Sequence, residues 1–355
     1  MRTYLYNLVN DRETGFTAGI IKAILFMLSL IYALVVRVLS FFYLFRPLRL
    51  GPKLISVGNI TWGGTGKTPL VEYICRLLSQ EGRKIVILSR GYKREKDKRI
   101  GSASAVLGDE AYMLAKNLGD IPVIVDADRV RGANLALSRY HPDILVLDDG
   151  LQQWRMKKDL EIITIDAVNP FGNHRLIPRG ILREPLSALK RAGIFILTKT
   201  DLVPDTEGLS NYLSKVNPIA LIAESIHQPV DLYRIGQPQE RLSLTVLRGR
   251  RLGLISGISY PEGFESLIKR LGADIVLTFR FSDHYYYSKK DLEDISSRIS
   301  RQGIDTVVTT EKDSVRFVVH DLSCVGLKSV DFFVLQVKIK ITKNEEGFRN
   351  RLLSL

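Results

Sequence analysis

The residues whose types and spacing best suit chemistry run Gly58-Asn59-Ile60-Thr61-Trp62-Gly63-Gly64-Thr65-Gly66-Lys67-Thr68-Pro69. An apolar run at 53–57 precedes them and an amphipathic stretch at 67–81 follows. That is the setting a phosphate-binding loop needs. Glycines let backbone N–H groups turn inward, and the helix start adds its dipole. Thr61, Gly63, Gly64, Thr65 and Gly66 would cradle the phosphates of a bound nucleotide. Lys67 would reach the β- and γ-phosphates, and the Thr68 hydroxyl would ligate Mg²⁺. The strict pattern has glycine where Thr61 stands. The plain alternative is a glycine-rich strand–helix turn with no ligand, and the intact Gly66-Lys67-Thr68 argues against it.

Such a loop needs an acid for its metal at the end of a neighbouring apolar strand. Ile144-Leu145-Val146-Leu147-Asp148-Asp149-Gly150 supplies two carboxylates there. Asp-Asp-Gly is also ordinary turn chemistry. Beside a phosphate loop the metal reading is the better one.

These groups must be held by a scaffold, and the apolar pattern predicts one. Strand-like runs fall at 53–57, 84–88, 121–125, 144–147, 160–165 and 194–197, with helical stretches at 67–81, 109–118 and 129–140. Strand and helix in alternation imply an open, doubly wound, mostly parallel α/β sheet of the P-loop NTPase-like kind. Residues 224–251, with Pro229 and Pro238, read as an irregular linker. A second, smaller α/β domain follows, with strands at 252–256, 274–278, 306–309 and 332–337 and helices near 261–271 and 289–301. The expected division is an anchor region at 1–50, a P-loop domain at 51–223, a linker at 224–251 and the smaller domain at 252–355.

The first fifty residues differ from the rest. Residues 20–45 are almost wholly apolar, broken mainly by Lys22 and Arg37. A signal peptide is disfavoured, because no small-residue cleavage site follows. A buried core helix would be apolar on nearly every face. A membrane-anchoring helix, spanning or interfacial, is the preferred reading. Arg46, Arg49 and Lys53 follow it without intervening acids, which puts the downstream domain on the cytoplasmic side.

Composition narrows the partners. The 355 residues carry a formal net charge of +13, which suits an anionic partner. Only Cys75 and Cys324 occur, far apart, so neither a disulfide scaffold nor a zinc site is supported, and a reducing cytosol fits. Nucleic acid is not expected, because no recognition-helix or RNA-recognition motif accompanies the charge. No obligate protein partner is evident.

In order along most of the chain stand Ser89-Arg90-Gly91-Tyr92, Gly108-Asp109-Glu110-Ala111, Asp148-Asp149-Gly150-Leu151-Gln152, Leu182-Arg183-Glu184-Pro185, Thr198-Lys199-Thr200-Asp201, Phe281-Ser282-Asp283-His284 and Thr310-Glu311-Lys312-Asp313. With the loop at 58–69 they resemble the tetraacyldisaccharide 4'-kinase family of lipid A biosynthesis, membrane-associated P-loop enzymes. The resemblance implies transfer of the ATP γ-phosphate to the 4'-hydroxyl of a tetraacyldisaccharide 1-phosphate, at the cytoplasmic face of the inner membrane. The sequence departs from the family at Leu151-Gln152-Gln153, where Phe-Gln-His is usual, and at His174 and Tyr285.

The resemblance also implies roles. Asp109 would be the base, supported by His284; Lys67 and Asp149 would complete the catalytic set; Glu110 and Glu184 would join Thr68 and Asp148 around Mg²⁺. A carboxylate can take the proton of a sugar hydroxyl as the phosphoryl group moves. An N-cap is the plain alternative for Asp109, and an interfacial loop residue that for His284. Asp109 precedes residues 224–251 and His284 follows them, so pairing is expected only when the two domains approach. The basic run Arg90, Lys93, Arg94, Lys96, Lys98 and Arg99 is either a solvated loop or a contact for anionic headgroups. A rival class is a P-loop GTPase or metallochaperone-like switch, because Thr198-Lys199-Thr200-Asp201 is similar to the Asn-Lys-x-Asp of GTPases without its Asn.

Overall fold

The computed structural model describes residues 2–91, 107–317 and 330–355. Tyr92, Lys93, Arg94, Lys96, Lys98, Arg99 and Cys324 lie outside the described residues. In chain order the main elements are α1 (Arg2–Val9), α2 (Phe16–Phe45), β1 (Lys53–Asn59), α3 (Lys67–Gln80), β2 (Ile85–Ser89), α4 (Asp109–Leu118), β3 (Val123–Val125), α5 (Arg129–Tyr140), β4 (Ile144–Asp148), β5 (Leu160–Asp166) and β6 (Ile194–Thr198). There follow α6 (Glu207–Val216), β7 (Leu221–Arg234), β8 (Gln237–Leu242), β9 (Arg251–Ser256), α7 (Pro261–Arg270), β10 (Asp274–Arg280), α8 (Lys289–Arg301), β11 (Thr306–Thr310), α9 (Glu311–Phe317), β12 (Asp331–Lys343) and α10 (Glu345–Leu353).

The chain forms two compact units. The first comprises Met1–Arg90, Ile121–Ile226 and Lys340–Leu355, and the second Gly91–Asp120 and His227–Ile339. In the first, strands lie in the order β7-β6-β5-β1-β4-β2-β3 and pair in parallel. Six of the seven β1 residues are buried, as are all five of β4, which is why these strands read as continuous apolar runs. With β1 between β4 and β5, the carboxyl ends of β1 and β4 open side by side, the usual ligand position in such sheets. In the second unit β10-β9-β11-β12 are parallel, over a core of Ile255, Leu292, Ile295, Val307 and Phe317.

The stretch expected as a linker is ordered instead. Residues 224–251 hold most of β7, all of β8 and a 3₁₀ turn at Leu244–Leu247. Pro229 and Pro238 hid these strands, yet proline is tolerated where a ladder runs out or an edge faces water. The second difference concerns α4, which groups with the second unit although it precedes β3 in the chain.

Helix α2 has thirty residues, about 45 Å at 1.5 Å per residue. It is long and apolar enough to cross a membrane, by length and composition. Only Ala18, Ser29 and Val36 are buried on it, while Ile24, Met27, Ile31, Leu34, Phe41 and Phe42 are exposed. That pattern removes the core-helix reading. Lys22 is accounted for: its ammonium lies 2.8 Å from Asp11 and donates to the Glu13 carbonyl at 2.9 Å. The Tyr32 hydroxyl donates to the Arg183 carbonyl at 2.8 Å, tying the helix to the first unit.

Candidate active site

The loop after β1 is shaped by close approach and by positive φ. A Cβ on Gly58 would stand 2.6 Å from the Leu151 backbone nitrogen, so only glycine lets β1 end there. Gly63 and Gly66 adopt φ of +124° and +76°, the left-handed side that side chains avoid. Gly66 then serves as the N-cap of α3, which puts Lys67 and Thr68 in its first turn. The loop is also clamped from both sides. Thr65 and Thr164 hydroxyls meet at 2.7 Å, and Thr164 donates to the Gly58 carbonyl at 3.2 Å. On the other side the Trp62 amide donates to the Ile181 carbonyl, and the Arg183 amide to that of Ile60, each at 2.7 Å.

Charged groups converge on this loop. Lys67 Nζ donates to Asn59 Oδ1 at 3.0 Å and lies 3.6 Å from Asp149. Arg183 grips the same carboxylate with two hydrogen bonds, 2.8 and 3.0 Å, and donates to Asn59 Oδ1 at 3.1 Å. Asp149 sits in the left-handed region, φ 56°, just past β4. Burial alone would raise its pKa, but Lys67 and Arg183 hold the carboxyl well below the usual carboxylate range. Asp148, the last residue of β4, is buried beside it. Arg129, the first residue of α5, is also buried; burial pushes its guanidinium down to about 10 against the pull of Asp148.

A second cluster forms within the second unit. Asp109 is the first residue of α4, and Gly108 is the N-cap, so the carboxylate is not spent on capping. Its Oδ2 accepts from Arg316 Nε at 2.9 Å and lies 2.9 Å from Arg316 Nη2. His284 Nδ1 is 3.2 Å from the same oxygen. Burial would raise the pKa of Asp109, but the His284 hydrogen bond and the Arg316 charge lower it below the ordinary value. Arg316 is anchored by Asp313 at 3.0 Å, and Asp313 in turn accepts from Tyr287, the Gly257 amide and Thr310. Behind the imidazole, Lys312 Nζ stands 3.2 Å from His284 Nε2, 3.0 Å from Asp283 and 3.4 Å from Glu110.

A family model described as tetraacyldisaccharide-1-P 4'-kinase (LpxK) matches residues 21–355. The chain belongs to that family. A tetraacyldisaccharide 4'-kinase of Halothermothrix orenii is 34% identical, covering 96% of this chain and 94% of that protein. One from Geobacter sulfurreducens is also 34% identical, covering 88% and 89% respectively. A crystal structure of LpxK from Aquifex aeolicus in complex with ATP is 26% identical, with a TM-score of 0.70, and covers 94% of this chain and 98% of that one.

Against this kinase fold the expected residues sort themselves. Thr61, Gly63, Gly64, Thr65, Gly66, Lys67 and Thr68 lie in one loop and helix start, and Lys67 meets Asp149 there. Asp109 and His284 are in contact, but the expectation that pairing waits on domain approach is corrected: both belong to the second unit. Glu184 stands in other company. Its carboxylate is buried and already engaged by Arg191 at 2.8 Å, Gln152 at 3.1 Å and Trp154 at 3.3 Å. Glu110 pairs with Lys312 within the second unit. Among the described residues no group of three or more His, Cys, Asp or Glu is arranged to hold a metal ion. Sequence reasoning gave no role to Asn59, Arg129 and Arg316, whose side chains lie among the charged groups of these two clusters. Arg183 and Lys312 stood in recognised motifs without a role, and only their partners, distant in sequence, reveal one.

Proposed function

We propose that this chain transfers the γ-phosphate of ATP to the 4'-hydroxyl of a tetraacyldisaccharide 1-phosphate, giving the 1,4'-bisphosphate. The observation that carries the reading is a family match over residues 21–355 joined to a strand–loop–helix with Lys67 and Thr68 at its helix start. Glycine geometry in the loop supports phosphate binding by backbone N–H groups, with Lys67 on the β- and γ-phosphates. Arg183 holds Asp149 and Asn59 so that Lys67 stays aimed at the loop. The Thr68 hydroxyl and the buried Asp148 carboxylate are hard oxygen donors that suit Mg²⁺, which commonly takes one or two protein oxygens with phosphates and waters. Held by Thr68 and Asp148, Mg²⁺ would supply positive charge against the charge that develops during phosphoryl transfer. Asp109 accepts the proton of the 4'-hydroxyl, and His284 orients that carboxylate.

The switch-protein reading is not favoured. Lys199, the lysine of its supporting motif, is paired with Asp166. Transfer of labelled phosphate from ATP to purified disaccharide 1-phosphate in detergent tests the reading; ATP hydrolysis without labelled lipid would sink it. The exposed apolar α2 and the arginines after it support attachment to the inner membrane with the catalytic units on the cytoplasmic face. Flotation with vesicles by the full chain, and its loss when residues 1–50 are deleted, checks the attachment.

A further inference from the structure

We propose that Lys312 is a positioning residue that fixes the tautomer of His284, holding the ring proton on Nδ1 so that the imidazole donates to Asp109. The proposal rests on the reading of Asp109 as the base and adds the group behind the dyad. A lysine ammonium has donors and no acceptor. At 3.2 Å from His284 Nε2 it makes a hydrogen bond only if that nitrogen keeps its lone pair. The single ring proton of a neutral imidazole is then on Nδ1, 3.2 Å from Asp109 Oδ2.

Lys312 is well held for this task. Its ammonium is braced by Asp283 at 3.0 Å and Glu110 at 3.4 Å. Burial would lower its pKa, but those two carboxylates hold it above the ordinary amine value, so it stays a cation. Without it, the described carboxylates nearest His284 Nε2, Glu110 at 3.7 Å and Asp283 at 3.8 Å, are two acceptors that call for a proton on Nε2. Lys312 therefore decides the direction of the row Lys312–His284–Asp109. There is a second consequence at Asp109. Arg316 and His284 both address Oδ2, and no described residue hydrogen-bonds to Oδ1. Oδ1 is left as the oxygen for the acceptor hydroxyl.

Full-length protein labelled with ¹⁵N-histidine in detergent tests this without any substitution. The chain has five histidines, and a His284→Gln variant assigns the signal. The expected result at neutral pH is a His284 resonance pair of the Nδ1–H tautomer. An Nε2–H or doubly protonated pattern overturns the proposal. Lys312→Met should remove the pure Nδ1–H pattern and lower kcat by about tenfold or more, a part of the roughly 10²–10⁴ that a positioned general base contributes. KM for ATP should stay unchanged. Lys312→Arg, also donor-only, should restore the tautomer signal and part of kcat; an unchanged His284 spectrum in Lys312→Met overturns the proposal. Failure of the base reading looks different: Asp109→Asn would keep its activity whatever the tautomer.

Discussion

The phosphate loop and the Asp109 cluster are built from the same materials, carboxylates bridged by lysine and arginine, yet they differ in burial. Around the loop, Lys67, Asp149 and Arg183 keep 17%, 34% and 22% of their side-chain surface exposed. In the Asp109 cluster, Arg316 and Asp313 keep 1% and 0%. Open ion pairs are weak and exchangeable, whereas a buried pair is costly to break. On the proposed reading, the loop's cations trade a carboxylate for incoming phosphate at little expense. The Asp109 cluster cannot trade partners, so its geometry is set before any substrate arrives.

The largest effect that would sharpen this contrast is on phosphoryl transfer. Lys67→Ala should lower kcat by about 10³–10⁵, the range for a cation placed on the transferring group, while unfolding stability stays near that of the parent. A folded variant with near-normal turnover in the labelled-phosphate assay would falsify the loop assignment.

Next comes the dyad. Asp109→Asn should cost about 10²–10⁴ in kcat and leave ATP binding nearly intact by calorimetry. His284→Ala should fall in the same range. The double variant should be little worse than the more damaged single one, because paired groups act as a unit. Fully additive losses in single-turnover kinetics would mean the two act independently.

Stability should separate the clusters in the opposite sense. Arg316→Met leaves Asp109 and Asp313 buried without their guanidinium counter-charge and should cost about 3–5 kcal/mol in urea unfolding. Arg183→Met, at a partly exposed pair, should cost about 1 kcal/mol or less. Equal costs would erase the proposed difference.

The smallest expected effect is on pH. Asp109 and Asp149 both have pKa values lowered by folding. Each therefore contributes stability that is complete above the unfolded carboxylate value, about 3.9, and is lost as pH falls through the folded value. The urea midpoint of Asp109→Asn should fall less steeply than that of the parent between about pH 5 and pH 3. A parallel fall would show that Asp109 is not held ionised by its neighbours.

Much of the fold could be read from the chain before its structure, because buried parallel strands announce themselves as apolar runs. The predicted strands at 144–147 and 306–309 reappear as Ile144–Asp148 and Thr306–Thr310. The stretch 224–251 could not be read so easily, since β7 mixes buried and exposed positions and carries Pro229. At the candidate site, the turn that carries Lys67 and Thr68 was legible because glycine spacing marks it locally. Arg316 was not: its partner Asp109 lies 207 positions away, and nothing local in a short helix marks it. The same limit hid the company of α4, because order along the chain does not report which unit an element joins.

That interleaving bears on how the protein is made. The first unit is closed by residues 340–355, where Phe348 is fully buried and packs against Tyr73, and Glu345 accepts from the Tyr73 hydroxyl. Translation delivers this segment after every other part of that unit. Domains ordinarily fold as units in the order they leave the ribosome, but here the phosphate-loop unit, begun first, is completed only after residues 340–355 have emerged. A nascent chain stalled before residue 340 would carry an exposed apolar seat along α3, making it a target for chaperones and proteases until release.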